Sequence, residues 1–322
     1  MGTWSFASNT EKAWHGLGQI VDKAMTSEEA IKLANLDYEV AKAPLTSSIV
    51  GDEGITLHQP FENLYATYRK DSFANLGIVS NRYEIVQNKD AFTFFDSIID
   101  KGEAIFETAG ALGDGERIFV MAKLPQDFKV AGEDCNKYIL LTNSHDGSSS
   151  IIAGFTSVRV VCSNTLTAAL KGGLTNKVSI RHNQNAKDKL AEAYKVMGLA
   201  SVYMNEVDGI FNQMAKTTLV DADLKKYIAR VMATPEIEVL DKDEYSTRFN
   251  NLVDGVYNFA LSHPTQQTDA TRGTVWGGYN AISGYFNYCK NYKNQEEKFK
   301  SQMFGTASNK TQKGFAEAVA ML

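Results

Sequence analysis

The chain has 322 residues, of which 43% are hydrophobic and 22% charged, an ordinary globular composition that excludes collagen-like, low-complexity and largely disordered chains. It is long enough to bury a full core without disulfide or metal staples and has room for two domains. A formal net charge of −5 argues against indiscriminate binding of double-stranded DNA, where neutralised phosphates supply most of the affinity.

Met1 to Ala13 has no apolar core behind a basic segment, so no secretory leader is expected, and Phe6 stands where a myristoylation signal needs Ser or Thr. No run of 18 apolar residues predicts a membrane span. Trp4 and Trp14 mark an N-terminal arm expected to bridge to a neighbouring subunit. Thr26-Ser27-Glu28-Glu29 reads as a capped helix start, with the helix running to Leu33. From Tyr38 to Val161 the signal is strand: segments 64–69, 105–110, 117–122 and 138–142 are short and rich in β-branched and aromatic residues. Gly113-Asp114-Gly115 and His145-Asp146-Gly147-Ser148-Ser149-Ser150 supply turn chemistry, and one amphipathic helix is expected over 88–100.

A further strand over Ala153–Cys162 runs into Ser163-Asn164-Thr165, which reads as the N-cap of a short helix through Leu166 to Leu170. After a strand at Val178–Ile180, the apolar stripe Leu190, Tyr194, Met197, Met204, Val207 and Phe211 predicts a long helix. More helices are expected near 221–233, 243–260, 270–292 and 308–321. The fold class is therefore α+β: an antiparallel sheet with flanking helices in the front half and a helical back half. The expected division is 1–183, an α+β core with its N-terminal arm, and 184–322, a helical region.

Charge is unevenly spread. Residues 151–190 hold six basic residues against the single acid Asp188, a local net of +5 that leaves −10 on the rest of the chain. Arg159, Asn164, Lys171, Lys177, Arg181 and His182 are the candidate nucleic-acid-binding residues. The arginines would hold phosphates, a helix starting near Asn164 would present N–H groups to the same anion, and the segment 183–185 would extend the polar surface. The competing reading has these residues capping helices and satisfying buried backbone. Cys162 and His182 form an alternative nucleophile–base pair, but no acid is placed to orient His182, and a cysteine ending an apolar strand favours burial. Trp14, Trp276, Tyr279 and Tyr285 are candidates for base stacking or for core packing. Three widely spaced cysteines suggest neither a disulfide framework nor a zinc site, and a reducing compartment follows. The five histidines never stand at i, i+4, and the glycine strings at 16–18 and 273–278 do not complete a phosphate-binding loop. No metal and no cofactor are expected.

Four strings, taken in order, carry a family resemblance: Ala13-Trp14-His15-Gly16-Leu17-Gly18, Val158-Arg159-Val160-Val161-Cys162-Ser163-Asn164-Thr165-Leu166, Ile180-Arg181-His182-Asn183 and Arg272-Gly273-Thr274-Val275-Trp276-Gly277-Gly278-Tyr279-Asn280-Ala281. Together they resemble the phage/plasmid-like proteins, a family built on a domain of unknown function. The resemblance covers nearly the whole chain and implies a mobile-element origin and a bacterial cytoplasmic setting, with no assigned reaction. It departs at Asn287-Tyr288-Cys289, where the family pattern has a histidine. The order of elements is also similar to the core of phage single-strand annealing proteins, a fold-level analogy.

Two functions follow as expectations. The first is a non-enzymatic, homo-oligomeric protein that binds single-stranded DNA or RNA and promotes annealing or recombination. The alternative is an interaction protein that blocks a host defence or regulates replication through a host or phage protein partner.

Overall fold

In the computed structural model the described residues are 6–8, 19–20, 26–51, 54, 56–99, 104–124, 127–159, 164–166, 177–190, 200–238, 245–303 and 305–322. The chain divides into two compact units. The first comprises Met1–Pro125, Ile139–Gly154 and Lys177–Gly198, and the second Gln126–Tyr138, Phe155–Asn176 and Leu199–Leu322. The fold is α+β, with antiparallel sheets and many helices.

In the first unit, β1 (Phe6–Ser8) and β2 (Gln19–Ile20) lead to α1 (Ser27–Leu33). The Thr26 hydroxyl accepts from the Glu29 amide at 3.2 Å while the Glu29 carboxylate accepts from the Thr26 amide at 3.1 Å, so the expected capping box is present. Asn35, with φ 51°, turns the chain out of the helix in the left-handed region that Asn tolerates.

Next come β3 (Val40–Val50), β4 (Thr56–Arg69) and β5 (Asn75–Ser80), which form a sheet of their own in that order. Strand β5 reaches only Leu64–Tyr68 of β4, so from Thr46↔Pro60 to Val50↔Thr56 the β3–β4 pair continues as a two-stranded ribbon. Sequence alternation shows neither β3 nor the outer half of β4, because the ribbon has no buried face to enforce a period of two.

Helix α2 (Asn88–Ile99) follows, then β6 (Ile105–Leu112) and β7 (Arg117–Lys123), whose residues are almost all buried. Phe92 of α2 meets Phe106 of β6 with ring centroids 6.0 Å apart, which seats the helix on the sheet. Two further strands, β9 (Glu133–Ser144) and β10 (Ile151–Arg159), contribute residues to both units. The sheet order is β10-β9-β7-β6-β1-β2, with β12 (Lys177–Ile180) antiparallel on the first residues of β10; the β1–β2 pair is parallel.

In the second unit β8 (Phe128–Val130) pairs with β9, and β11 (Asn164–Leu166) with the end of β10. This corrects the expected helix start at Asn164. Asn164, Thr165 and Leu166 oppose Arg159, Val158 and Ser157 as ladder partners, and tertiary pairing overrides the local cap signal. Residues 167–170 of that expected helix lie outside the described residues.

The α-helices described in the unit are α3 (Ala200–Lys216), α4 (Asp221–Met232), α5 (Pro235–Glu238), α6 (Thr247–Ser262), α7 (Val275–Gly284), α8 (Gln295–Met303) and α9 (Thr306–Val319). A π-helical turn, Tyr285–Cys289, continues α7. Every residue of α7 is buried, and Phe211 of α3 meets Trp276, Tyr279 and Phe315 at centroid distances of 4.7, 5.8 and 5.8 Å. Trp276 and Tyr279, weighed for base stacking, are therefore core. A Cβ on Gly277 would stand 1.8 Å from the Thr271 carbonyl oxygen, so only glycine permits that approach. Among the described residues no helix is long and apolar enough to cross a membrane.

Candidate functional site

Three chain segments of the first unit converge at one end of its strands. Arg82 follows β5, residues 147–150 form the turn between β9 and β10, and Arg181-His182-Asn183 follows β12. Pairing of Ile151 with Ile180 carries Arg181 to the start of β10, beside Ser150. The segments enclose an open cleft of about 480 Å³ lined by Arg82, Arg181, His182, Asn183, the hydroxyls of Ser80 and Ser148–Ser150 and, among the described residues, no carboxylate.

The turn is built by its own acid. The Asp146 carboxylate accepts from the Ser148 amide at 2.9 Å and the Ser148 hydroxyl at 2.6 Å, and also from the Ser144 hydroxyl. Burial pushes this carboxyl up, but the hydrogen bonds from Ser144 and Ser148 prevail and hold it below its ordinary value. Gly147 takes φ 72°, as the Asp-Gly pair predicts. Arg117 donates to the Ser148 hydroxyl at 2.7 Å, which anchors the turn to β7.

His182 is clamped. Its Nδ1 lies 3.1 Å from the Glu84 carbonyl oxygen, which can only accept, so Nδ1 carries the proton. The Glu84 amide donates back to the His182 carbonyl at 3.2 Å, and the imidazole stacks on Tyr83 at 4.6 Å. Burial lowers the His182 pKa despite the Glu84 carbonyl, so the ring is neutral at pH 7. The Tyr83 hydroxyl donates to the Ser144 carbonyl, tying the base of the cleft to the turn. Arg82 and Arg181 are exposed, and they supply the cleft's positive charge.

The expected residues separate into three groups. Arg181 and His182 meet in the cleft. Arg159 and Asn164 are ladder partners in the second unit, and Lys177 pairs with Gly154 in the first; their side chains lie outside the described residues. Lys171, Cys162, Trp4 and Trp14 also lie outside the described residues. Sequence reasoning missed Arg82, which precedes the basic segment by about 70 residues. It read Ser148–Ser150 as turn alone. Among the described residues, no group of His, Cys, Asp and Glu is placed to hold a metal ion.

A family model described as a domain of unknown function, DUF932, matches residues 75–304, and the chain belongs to that family. No curated protein and no solved structure matches it.

Proposed function

We propose that this member of the DUF932 family binds single-stranded nucleic acid, through the phosphate backbone, at the cleft of Arg82 and Arg181. The carboxylate-free cleft carries the reading: two guanidinium groups and a run of serine hydroxyls face one opening, and the nearby acid is consumed inside its own turn. Guanidinium forks suit phosphate oxygens, and the hydroxyls of Ser80, Ser149 and Ser150 would donate to the same oxygens, the Ser148 hydroxyl being taken up by Asp146 and Arg117. Tyr83 is covered by the His182 ring, so the site recognises backbone rather than stacked bases. The resemblance to phage/plasmid-like proteins supports a mobile-element origin and a bacterial cytoplasmic setting, and the order of elements, similar to that of phage single-strand annealing proteins, is the ground for a role in annealing or recombination.

The test is anisotropy of a labelled oligothymidine over a salt series. Arg82→Ala and Arg181→Ala are each expected to weaken binding about five- to tenfold. Each should also flatten the slope of log K against log salt by about 0.7. Unchanged affinity and slope in both variants, with unchanged melting, would remove the cleft from nucleic-acid binding.

The same reading includes a homo-oligomer, and the β3–β4 ribbon is the surface that supports it. Ile49 and Leu57 are direct ladder partners, and Phe61 follows Pro60, the last β4 residue in register with the ribbon; they are 51%, 62% and 48% exposed. A two-stranded ribbon is marginally stable alone in water, and a second copy would cover this self-complementary apolar face. Asp52, Glu53 and Glu62 make the ribbon's sequence acidic and unsuited to nucleic acid. Leu57→Lys with Phe61→Lys is expected to lower the mass seen by light scattering without lowering the melting temperature. A wild-type chain that is monomeric at micromolar concentration would exclude the assembly.

A further inference from the structure

The second unit holds a cleft of different character. It measures about 670 Å³, within the roughly 300–1,000 Å³ typical of small-molecule sites. Its apolar wall is Met232, Ile237, Phe249, Leu252 and Phe286. Three cations line it, Arg248, Lys290 and Lys310, and among the described residues no carboxylate does.

The cations are held there by the fold. The π-helical turn ends with the Lys290 amide donating to the Tyr285 carbonyl at 3.0 Å, which sets Lys290 at the end of α7. Such turns recur at functional sites. The Lys290 ammonium lies 5.2 Å from the Phe286 ring centroid and 5.1 Å from that of Tyr292, an aromatic seat that supplies no counter-charge. Burial lowers its pKa. Lys310 donates to the Ala233 carbonyl at 2.8 Å, at the C-cap of α4, and is thereby fixed at the rim. Two helix N-termini also open on the cleft, at Ser246, which caps α6, and at Thr306, which begins α9; neither first turn contains an acid. Helix N-termini add positive potential to that of the side chains.

We infer that this cleft binds an amphiphilic organic anion, its charged head on Arg248, Lys290 and Lys310 and its apolar body against Phe249, Leu252 and Phe286. The charge complementarity fixes the sign of the head, and the continuous apolar wall requires a body that inorganic ions lack. The site is independent of nucleic-acid binding in the first unit and stands or falls separately.

The full-length protein would be titrated with an anilinonaphthalene sulfonate dye, with laurate and sodium phosphate as competitors. Saturable one-to-one binding is expected, displaced by laurate and not by phosphate. Arg248→Gln and Lys290→Gln should each weaken the dye about tenfold at an unchanged melting temperature, the loss of one charge-assisted contact. Leu252→Trp should block it by filling the cleft, which separates this site from dye adsorbed on the β3–β4 ribbon. Should a variant fail to fold, laurate must still raise the wild-type melting temperature saturably. Absence of saturable binding at millimolar ligand, undiminished binding in the folded variants, or displacement by phosphate as effective as by laurate would each overturn the inference.

Discussion

Acidification from pH 6.5 to 4.5 is expected to remove about 2 kcal/mol of stability through His145, the slope approaching about 1.4 kcal/mol per pH unit below pH 6. The imidazole is buried, with Nε2 donating to the Asn88 side-chain oxygen at 2.8 Å and the Asn88 amide donating onward to the Leu36 carbonyl at 2.9 Å. The Thr67 hydroxyl donates to the His145 carbonyl at 2.7 Å, and the His145 amide donates to the Glu116 carbonyl at 2.6 Å. Burial, reinforced by His182 and only partly opposed by Asp146, pushes the His145 pKa down to about 3. The unfolded chain takes up a proton near 6.5 and the folded chain does not, so stability is full above that pH and falls until the folded pKa is reached. Urea unfolding at pH 7.5, 6.5, 5.5 and 4.5 reads the slope. His145→Gln should lower stability at pH 7.5 and reduce the slope between 6.5 and 4.5; a wild-type profile that is flat there would contradict the assignment.

Lys137→Met should cost about 3 kcal/mol at neutral pH, because it strands a partly buried carboxylate. Lys137 is 6% exposed and its ammonium sits 2.7 Å from the Asp208 carboxylate, linking β9 to α3 within the second unit. The Asp208 pKa is raised: burial outweighs the hydrogen bond and charge of Lys137. Without the lysine, burial alone acts and the folded pKa rises further above the unfolded one. The destabilisation is then present above the folded pKa and shrinks as pH falls and Asp208 protonates. Replacing both partners, Lys137→Met with Asp208→Leu, should bring stability back to near the wild-type value, since a desolvated ion pair contributes little beyond an apolar pair of similar volume. Equal losses in the single and double variants, measured by chemical denaturation, would show that the pair matters through packing instead.

What was legible in the sequence depended on how local its cause was. Thr26 and Glu29 act within one turn, so the start of α1 could be read directly. The stripes of α4 and α9 carry their own periodicity, and the short strands β6 and β7 their β-branched and aromatic composition. Helix α8 escaped notice because its segment, Gln-Glu-Glu-Lys-Phe-Lys-Ser-Gln-Met, offers little apolar stripe beyond Phe299. Asn164 misled because a cap and the first residue of a returning strand use the same polar residues, and only the partner at Arg159 decides between them. The cleft was half visible: the charge count found Arg181, but Arg82 comes to it from the end of β5 in the other sheet, an approach that no local pattern records.

The interleaving of the two units constrains how the chain can be made and divided. The polypeptide crosses from one unit to the other five times, at 125/126, 138/139, 154/155, 176/177 and 198/199. During synthesis the first unit has all of its strands only once β12 has emerged, and by then β8, the start of β9 and the end of β10 already await the helices that complete the second unit. No single cleavage point releases either unit whole. Evolution can therefore lengthen the β3–β4 ribbon or alter a helix, but it cannot shuffle one unit onto another protein without the other.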